Sequence, residues 1–597
     1  MDTVPRYDVA IVGAGWYGLV AARTYLRLRP DVNIIILDND STVGGVWSKK
    51  RLYPNLVAQV KHGLFNYTDT PMPGRGRTKN DMVTGDMIHN YLQTFAEDHD
   101  LVRRIRFNTF VDKVERCPDG GGPGGWRVHF HDPRGGGPSD DDDDDRGRGM
   151  LDADKLMVAT GVTSIPRYPA LAGGNDGSVP IIHSRDFGES NASLQSEKVR
   201  DVVVLGAAKS AYDAVYLLLR MGKRVTWVIR PHGAGPLAML PSEVLGWWNS
   251  IAVASTRLMT FLSPSILNAD GWLAWLLLRS WPGRLLVALF WTVLDWLSAA
   301  HAGYGRGDHV AGLRPEISGR SVFWANSGLG VVTLPDFWQT LHNGDVHIVR
   351  EDPHRVAGGR LHFASGAERS DVAADRIVAC TGWGDHFAMF DGALKAELGL
   401  PAVADPRAPG AEARLRAATD PLWAADDARA ASAVAAKLPL LARGPALRNP
   451  ATNEGAACAW RLYRRAIPYP LAVRGDRSLA IMGQIHTVQT PLVSEMQSFW
   501  AILYLLGETG LPPAHEMRRE IAEWNAWTRM RYLSQGRKFP YSLYDFLPYV
   551  DSLCKDLGIK SRRKGNPVSE LFSPYRPDDF NGFIDEYLAS RGDLESK

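Results

Sequence analysis

Apolar residues recur along this chain in two rhythms. YDVAIV at 7–12 and NIIILD at 33–38 are short, nearly unbroken apolar runs, the pattern of strands buried on both faces of a parallel sheet. GAGWYGLVAARTYLRL between them has helical spacing, so residues 7–38 predict a strand–helix–strand unit. The rhythm returns at 200–230, where RDVVVLG, AAKSAYDAVYLLLRMG and KRVTWVIR predict a second such unit. LDADKLMVATG at 151–161 predicts a further strand ending in a turn of small residues, and the alternation in WRVHF predicts a strand between two loops. The fold class expected is α/β, with two Rossmann-like domains and helical insertions.

Three stretches depart from that pattern. Residues 117–149 are rich in Gly and Pro and carry the run Asp140 to Asp145. Adjacent aspartates repel and cannot converge on one ion, so a solvated loop is expected there. Residues 402–448, rich in Ala, Pro and Arg, predict a helical insertion with loose ends. Residues 244–300 are dense in Trp and Leu, but Arg279, Pro282, Arg284 and Asp295 interrupt them and leave no clean membrane span. Three readings stand for this segment: a buried helical hairpin, a lid over an apolar substrate site, or a helical pair on a membrane surface. The buried and substrate-facing readings come first, with peripheral membrane contact kept beside them.

Composition removes several classes. The chain has 597 residues, is 45% hydrophobic and 22% charged, and has a formal net charge of +2, which describes a globular protein without a nucleic-acid stripe. Cys117, Cys380, Cys458 and Cys554 lie far apart without a CxxC pair, so neither a zinc ribbon nor a dithiol centre is expected and no metal site is assigned. Buried free thiols in a reducing compartment fit them better. The opening MDTVPRYDVAIVGAG has too short an apolar run for a secretory leader. A cytoplasmic location is expected, at the cytoplasmic face of a membrane if the apolar insertion binds lipid.

The first unit carries Gly13, Ala14, Gly15 and, three residues on, Gly18 in GxGxxG spacing. The first glycine permits a tight turn, the second lets the backbone approach a pyrophosphate, and the third lets helix and strand pack closely. The helix N-terminus supplies donors for the anion. Asp38, at the end of the second strand, would accept hydrogen bonds from a ribose and disfavour a 2′-phosphate. In the second unit Gly206 can make the same turn, but Ala208 stands at the second glycine position. Lys209 could reach a phosphate, and Ser210 is small where the helix packs. Arg230 stands where an NAD-binding unit would place an acid, and its guanidinium suits the 2′-phosphate of NADP; an arginine at the sheet's solvent edge is the plainer alternative.

Beyond Asp38 comes STVGGVWS, with Gly44, Gly45 and Trp47 in a GGxW element. With these residues the chain resembles the class B flavin-dependent monooxygenases. The likeness continues through LVAQVKHGLFNYTDTPMP, the YLxxFA-type core of MVTGDMIHNYLQTFAEDHDL, VATG at 158–161, IIHSRDF, and LAIMGQIHTVQTPLVSEMQSFWAILYLLG near the C-terminus. It implies that the glycine turn with Gly45 and Trp47 touches FAD, that Gln484, Thr487 and Thr490 lie near the flavin, and that Gln59 holds the oxygenated flavin where the family often has asparagine. Glu495 and Gln497 fall on the helix that follows, where a solvated face is expected. His183 and Phe187 are what survives of the family fingerprint FxGxxxHxxx(Y/F), which disfavours the Baeyer–Villiger branch. His183 is read as a hinge residue near NADP rather than a proton donor.

The resemblance implies an FAD domain split in sequence around an NADP domain. The boundaries expected are 1–165 for the first part of the FAD domain and 166–385 for the NADPH domain, including the apolar insertion at about 244–300. Residues 386–510 would hold a helical insertion and the closing part of the FAD domain, and 511–597 a C-terminal helical extension. It also implies an FAD- and NADPH-dependent monooxygenase that forms a C4a-(hydro)peroxyflavin with molecular oxygen and oxygenates a small hydrophobic substrate in secondary metabolism. A flavin-dependent oxidase or dehydrogenase, Baeyer–Villiger oxygenation of a ketone, and a non-enzymatic relative with a damaged NADP site remain as alternatives.

Overall fold

Both strand–helix–strand units form, and each builds its own sheet. The structure, a computed structural model, describes residues 4–117, 125–134, 147–244, 248–317, 319–364, 370–401, 421–447, 460–538 and 540–595. The acidic run at 140–145, Cys458 and the start of the Ala/Pro/Arg-rich insertion therefore lie outside the described residues. The helix Pro421–Lys437 lies within that insertion, as its composition predicts.

The first sheet is seven-stranded. Arg6–Val12 lies at its centre, parallel to Ile34–Leu37 on one side and Gly149–Val158 on the other. Gly149–Val158 is shared along its length. Its first half pairs antiparallel with Trp126–His131, and its second half pairs parallel with Leu479–Ile481. The chain thus leaves this sheet after residue 158 and returns to it at residue 479, so the sheet is built from two separate stretches of sequence. The central strand is fully buried from Val9 to Ile11, as its apolar run requires.

The second sheet is five-stranded and parallel, in the order Val346–Val349, Arg224–Val228, Asp201–Leu205, Arg376–Ala379, Ile181–His183. Its central strand mirrors that of the first sheet. Gly13 (φ +111°) abuts Ala159, where an added Cβ would stand 2.5 Å from the carbonyl oxygen; Gly206 (φ +127°) abuts Cys380, where it would stand 2.3 Å away. Both contacts fall at the end of the neighbouring strand, at ATG in one sheet and CTG in the other. The same backbone device closes both units, and only glycine satisfies it.

Helices fill the space between and around the sheets. Thr490–Leu506 is buried along almost its whole length and packs on the first-unit helix Trp16–Leu28. Ala514–Lys538, Phe546–Leu557, Pro567–Phe572 and Phe583–Glu595 form the C-terminal extension. The apolar insertion folds into short helices ending in Trp281–Ala302. It is not the buried hairpin expected first: its inner residues Val287 and Trp291 are fully buried, yet Trp281 is 73% and Trp296 67% exposed.

Candidate active site

The first-unit turn is assembled from three segments far apart in sequence. The Gly44 amide donates to the Ala14 carbonyl at 2.9 Å, which brings the GGxW turn over the GxGxxG turn. A Cβ on Gly15 would lie 3.7 Å from Gly45 Cα, so these two bare backbones face each other. Gly18 has no such latitude, because its Cβ would overlap the Gly13 carbonyl oxygen at 1.8 Å. Gly15 is the N-cap of Trp16–Leu28 and lacks a capping side chain, so the first amides of that helix are available to an anion.

Asp38 sits just after the second strand. Its carboxylate accepts from the Ala14 amide at 2.6 Å and from the Asp40 amide at 2.8 Å. Burial pushes its pKa up to about 6, partly opposed by those two amides. Asp40 beside it moves the other way, held below the usual range by Arg51, Lys50 and the Ser48 hydroxyl despite its burial. Arg51 Nε stands 3.1 Å from Asp40 and Arg185 Nη2 3.7 Å, so two arginines converge here from different domains.

The returning segment supplies buried polar atoms without protein partners. Both amide atoms of Gln484 and the Thr487 hydroxyl are buried and find no hydrogen-bond partner among the described residues. Such atoms are costly unless a bound molecule satisfies them. A bare glycine cradle, an uncapped helix N-terminus, a carboxylate at the strand end and these orphaned atoms together fit a flavin dinucleotide. Gly483 is fixed by Gln497, whose Oε1 accepts the Gly483 amide at 2.8 Å while its Nε2 donates to the Tyr549 hydroxyl at 2.7 Å.

Glu495 and Gln497 correct an expectation, since neither lies on a solvated face: Glu495 is 1% and Gln497 0% exposed. Glu495 accepts from Arg23 at 2.7 Å, and from the Thr68 amide at 2.8 Å and hydroxyl at 3.1 Å. Arg23 also bonds Asp69 at 2.5 Å. This buried network locks the closing helix to the first-unit helix. Its partners lie hundreds of residues apart, so no local pattern reveals it.

In the second unit Ala208 is exposed and N-caps the helix Lys209–Arg220 at φ −95°, close to the −92° of Gly15. That backbone accepts an alanine without strain, and the methyl faces solvent. Ser210 is exposed beside it. Lys209 departs from expectation. Its ammonium forms an ion pair with Asp213 one turn along, and Tyr53 donates to the same carboxylate at 3.4 Å, so the lysine points along the helix rather than standing free for a phosphate. Arg230 is exposed just beyond the strand Arg224–Val228, away from the cavity described next.

One cavity of about 360 Å³ joins these parts. Its walls take Trp47 from the GGxW turn, Gln59 from the strand Val57–Lys61, Lys209, Ser210 and Asp213 from the second unit, His486 and Thr487 from the returning segment, and Phe290, Trp291 and Leu294 from the apolar helix. Gln59 reaches it with its amide oxygen already accepting from the Val331 amide, which leaves its NH2 as the group on offer. His486 is open to this space yet held neutral, its pKa lowered to about 4 by desolvation within the surrounding protein. His183 is buried outside this wall, its Nδ1 accepting from the Arg185 amide at 3.1 Å and its Nε2 donating to the Gly382 carbonyl at 3.0 Å. Gly13, Gly15, Gly18, Asp38 and Gly206 lie at the dinucleotide turns, and Gln484 lies behind Thr487. His486 and Asp213 are not singled out by the sequence, where only the Lys209–Asp213 spacing of four carries a hint, whereas Phe290, Trp291 and Leu294 belong to the insertion that the sequence reads as a lid over an apolar site.

Comparisons with known proteins converge on one family. A family model for flavin-binding monooxygenase-like proteins matches residues 6–277. The chain is 38% identical to the FAD-dependent monooxygenase DEP4 of Alternaria brassicicola, over 97% of this chain and 94% of that protein. It is 37% identical to the FAD-dependent monooxygenase resA of Aspergillus sclerotiorum, over 98% of each. Among solved structures, cyclohexanone monooxygenase from Rhodococcus sp. Phi1 bound to NADP+ shares the fold, with a TM-score of 0.55 and 15% identity over 93% of this chain and 98% of that one.

Proposed function

The chain belongs to the flavin-binding monooxygenase-like family and is an FAD-dependent monooxygenase; from that premise we propose that it uses NADPH and dioxygen to oxygenate a small hydrophobic molecule. The observation that supports this reading is a cavity walled by the GGxW turn, the helix of the second dinucleotide unit, the returning segment and the apolar insertion. A place in the synthesis of apolar secondary metabolites is proposed with it, on the lining of that cavity.

The side chains divide the work. The uncapped helix at Gly15 and the bare turn at Gly13 and Gly45 would take the flavin pyrophosphate, and Asp38 its ribose. Gln484 and Thr487 would satisfy the flavin with atoms that now lack partners. Gly206, Ala208 and Ser210 would receive the second pyrophosphate at an open helix end, and Arg230 the 2′-phosphate. Hydride acceptance and dioxygen activation are supplied by the flavin when bound. Phe290, Trp291 and Leu294 exclude water and hold an apolar substrate, and the Gln59 amide donates toward the cavity. His486, held neutral, does not place a charge in that space.

Anaerobic reduction of the flavin-loaded protein tests this reading. NADPH should bleach the yellow chromophore efficiently. Arg230→Ala should weaken NADPH by roughly 10–100-fold, the worth of about 1.5–3 kcal/mol in charge-assisted hydrogen bonds, and leave NADH nearly unchanged. An unaltered NADPH/NADH preference in that variant would remove Arg230 from the site.

A further inference from the structure

Among the described residues, the outer face of the apolar insertion has no partner. On the helix Trp281–Ala302 the exposed positions Trp281, Leu285, Leu289, Val293 and Trp296 fall on one stripe, at spacings of three and four. The preceding helical turns add Trp272, 76% exposed, and Trp275. The two segments are packed tightly enough that a Cβ on Gly283 would meet the Leu276 carbonyl oxygen at 2.0 Å, so they present one surface. A contiguous apolar face of this kind marks an interaction site.

We propose that this face lies in the surface of an anionic lipid bilayer, with Trp281–Ala302 in the plane of the membrane. Among the described residues this is the one helix long and apolar enough to cross a bilayer, but its other face is committed to the protein. Trp291 Nε1 donates to the Leu262 carbonyl at 2.8 Å, Ser298 donates to the Met239 carbonyl, and Asp295 is turned inward, accepting from the Val322 amide at 3.2 Å. A spanning helix would give up these bonds to hydrocarbon, whereas a helix in the plane keeps them. Tryptophans at both ends of the stripe suit the headgroup layer.

Charge selects the partner. The helix Arg257–Leu262 packs between the Trp275–Arg279 turn and the short helix Pro567–Phe572, which exposes Val568 and Phe572. Arg257 ties its own helix to Pro567–Phe572 through Glu570, and to the preceding chain through Asp551 at 2.6 Å and the Ser561 carbonyl at 2.8 Å. Directly before that helix the sequence reads KSRRK at 560–564. Arg563 and Lys564 are paired with Glu586 and Asp579, while Lys560 and Arg562 are exposed. Apolar anchors bordered by basic residues complement anionic headgroups. Self-pairing with a second copy would instead bring like charges toward each other. The surface stands independently of the reading above. One consequence does rest on that reading: Phe290, Trp291 and Leu294 of this same helix line the cavity, so an apolar substrate dissolved in the bilayer is one helix away from it.

Flotation of the flavin-loaded full chain with vesicles tests the proposal without turnover, so it can fail or succeed apart from the assigned reaction. The protein should float with phosphatidylcholine vesicles containing phosphatidylserine, and less with phosphatidylcholine alone or at high salt. Leu285→Asp with Leu289→Asp should lower vesicle affinity by roughly tenfold or more, with substrate-free NADPH oxidation and thermal stability unchanged. Lys560→Glu with Arg562→Glu should remove the preference for anionic vesicles. A wild-type protein that floats with neither vesicle, a Leu285/Leu289 variant that floats as well as wild type, or a concentration-dependent dimer without vesicle binding would each overturn it.

Discussion

Asp38 shows how one buried carboxylate sets a condition on the whole enzyme. Burial raises its pKa to about 6, so the carboxylate that can accept from a ribose exists above that pH. Flavin retention is therefore expected to weaken as pH falls through about 6, read as release of yellow chromophore on gel filtration. The flavin-free protein follows the opposite sign. A raised acid pKa stabilises the fold most below the unfolded value of 3.8, and that contribution is lost as pH rises through about 6. Asp38→Asn should bind flavin more weakly and without the pH step; a step that persists would assign it to another group. Gly206→Ala is a companion case. A Cβ there meets the Cys380 carbonyl oxygen at 2.3 Å with φ at +127°, so the variant should keep its flavin and lose reduction by NADPH. These residues were legible in the sequence because glycine spacing and an acid at a strand end are local. Lys209 is less legible, because the ion pair with Asp213 one turn along the helix engages its ammonium.

At the scale of elements, the closing helix Thr490–Leu506 is held to Trp16–Leu28 by the buried Arg23–Glu495 pair and its links to Thr68 and Asp69. Removing one partner of a buried pair leaves an uncompensated charge, so Glu495→Ala should cost about 3 kcal/mol, measured by urea unfolding. A loss below about 0.5 kcal/mol would show the pair to be incidental. The sequence placed this helix correctly but not its polar residues. Glu and Gln on a helix ordinarily mark a solvated face, and here tertiary contacts from residues 23, 68, 483 and 549 override that expectation. The apolar insertion divides between its readings. One face is buried and lines the cavity, as a lid would, while Asp295 and Ser298 point inward and leave the Trp/Leu stripe outside, so it is not a buried hairpin.

Across the whole molecule, two sheets are closed by the same glycine device, and helices and loops between them wall an apolar cavity. The sheets could be anticipated from two strand–helix–strand rhythms, and the return of the chain at 479–481 from a strand and glycine turn late in the sequence. The cavity as a whole could not, since its walls come from many separate stretches of sequence brought together by packing alone. The central claim is that this cavity lets dioxygen meet an apolar substrate with NADPH as reductant. Turnover under labelled dioxygen with a panel of apolar amines, thioethers and ketones measures it most directly. One labelled oxygen atom in the product is expected for each NADPH consumed. Stoichiometric hydrogen peroxide with no label in any product would contradict it.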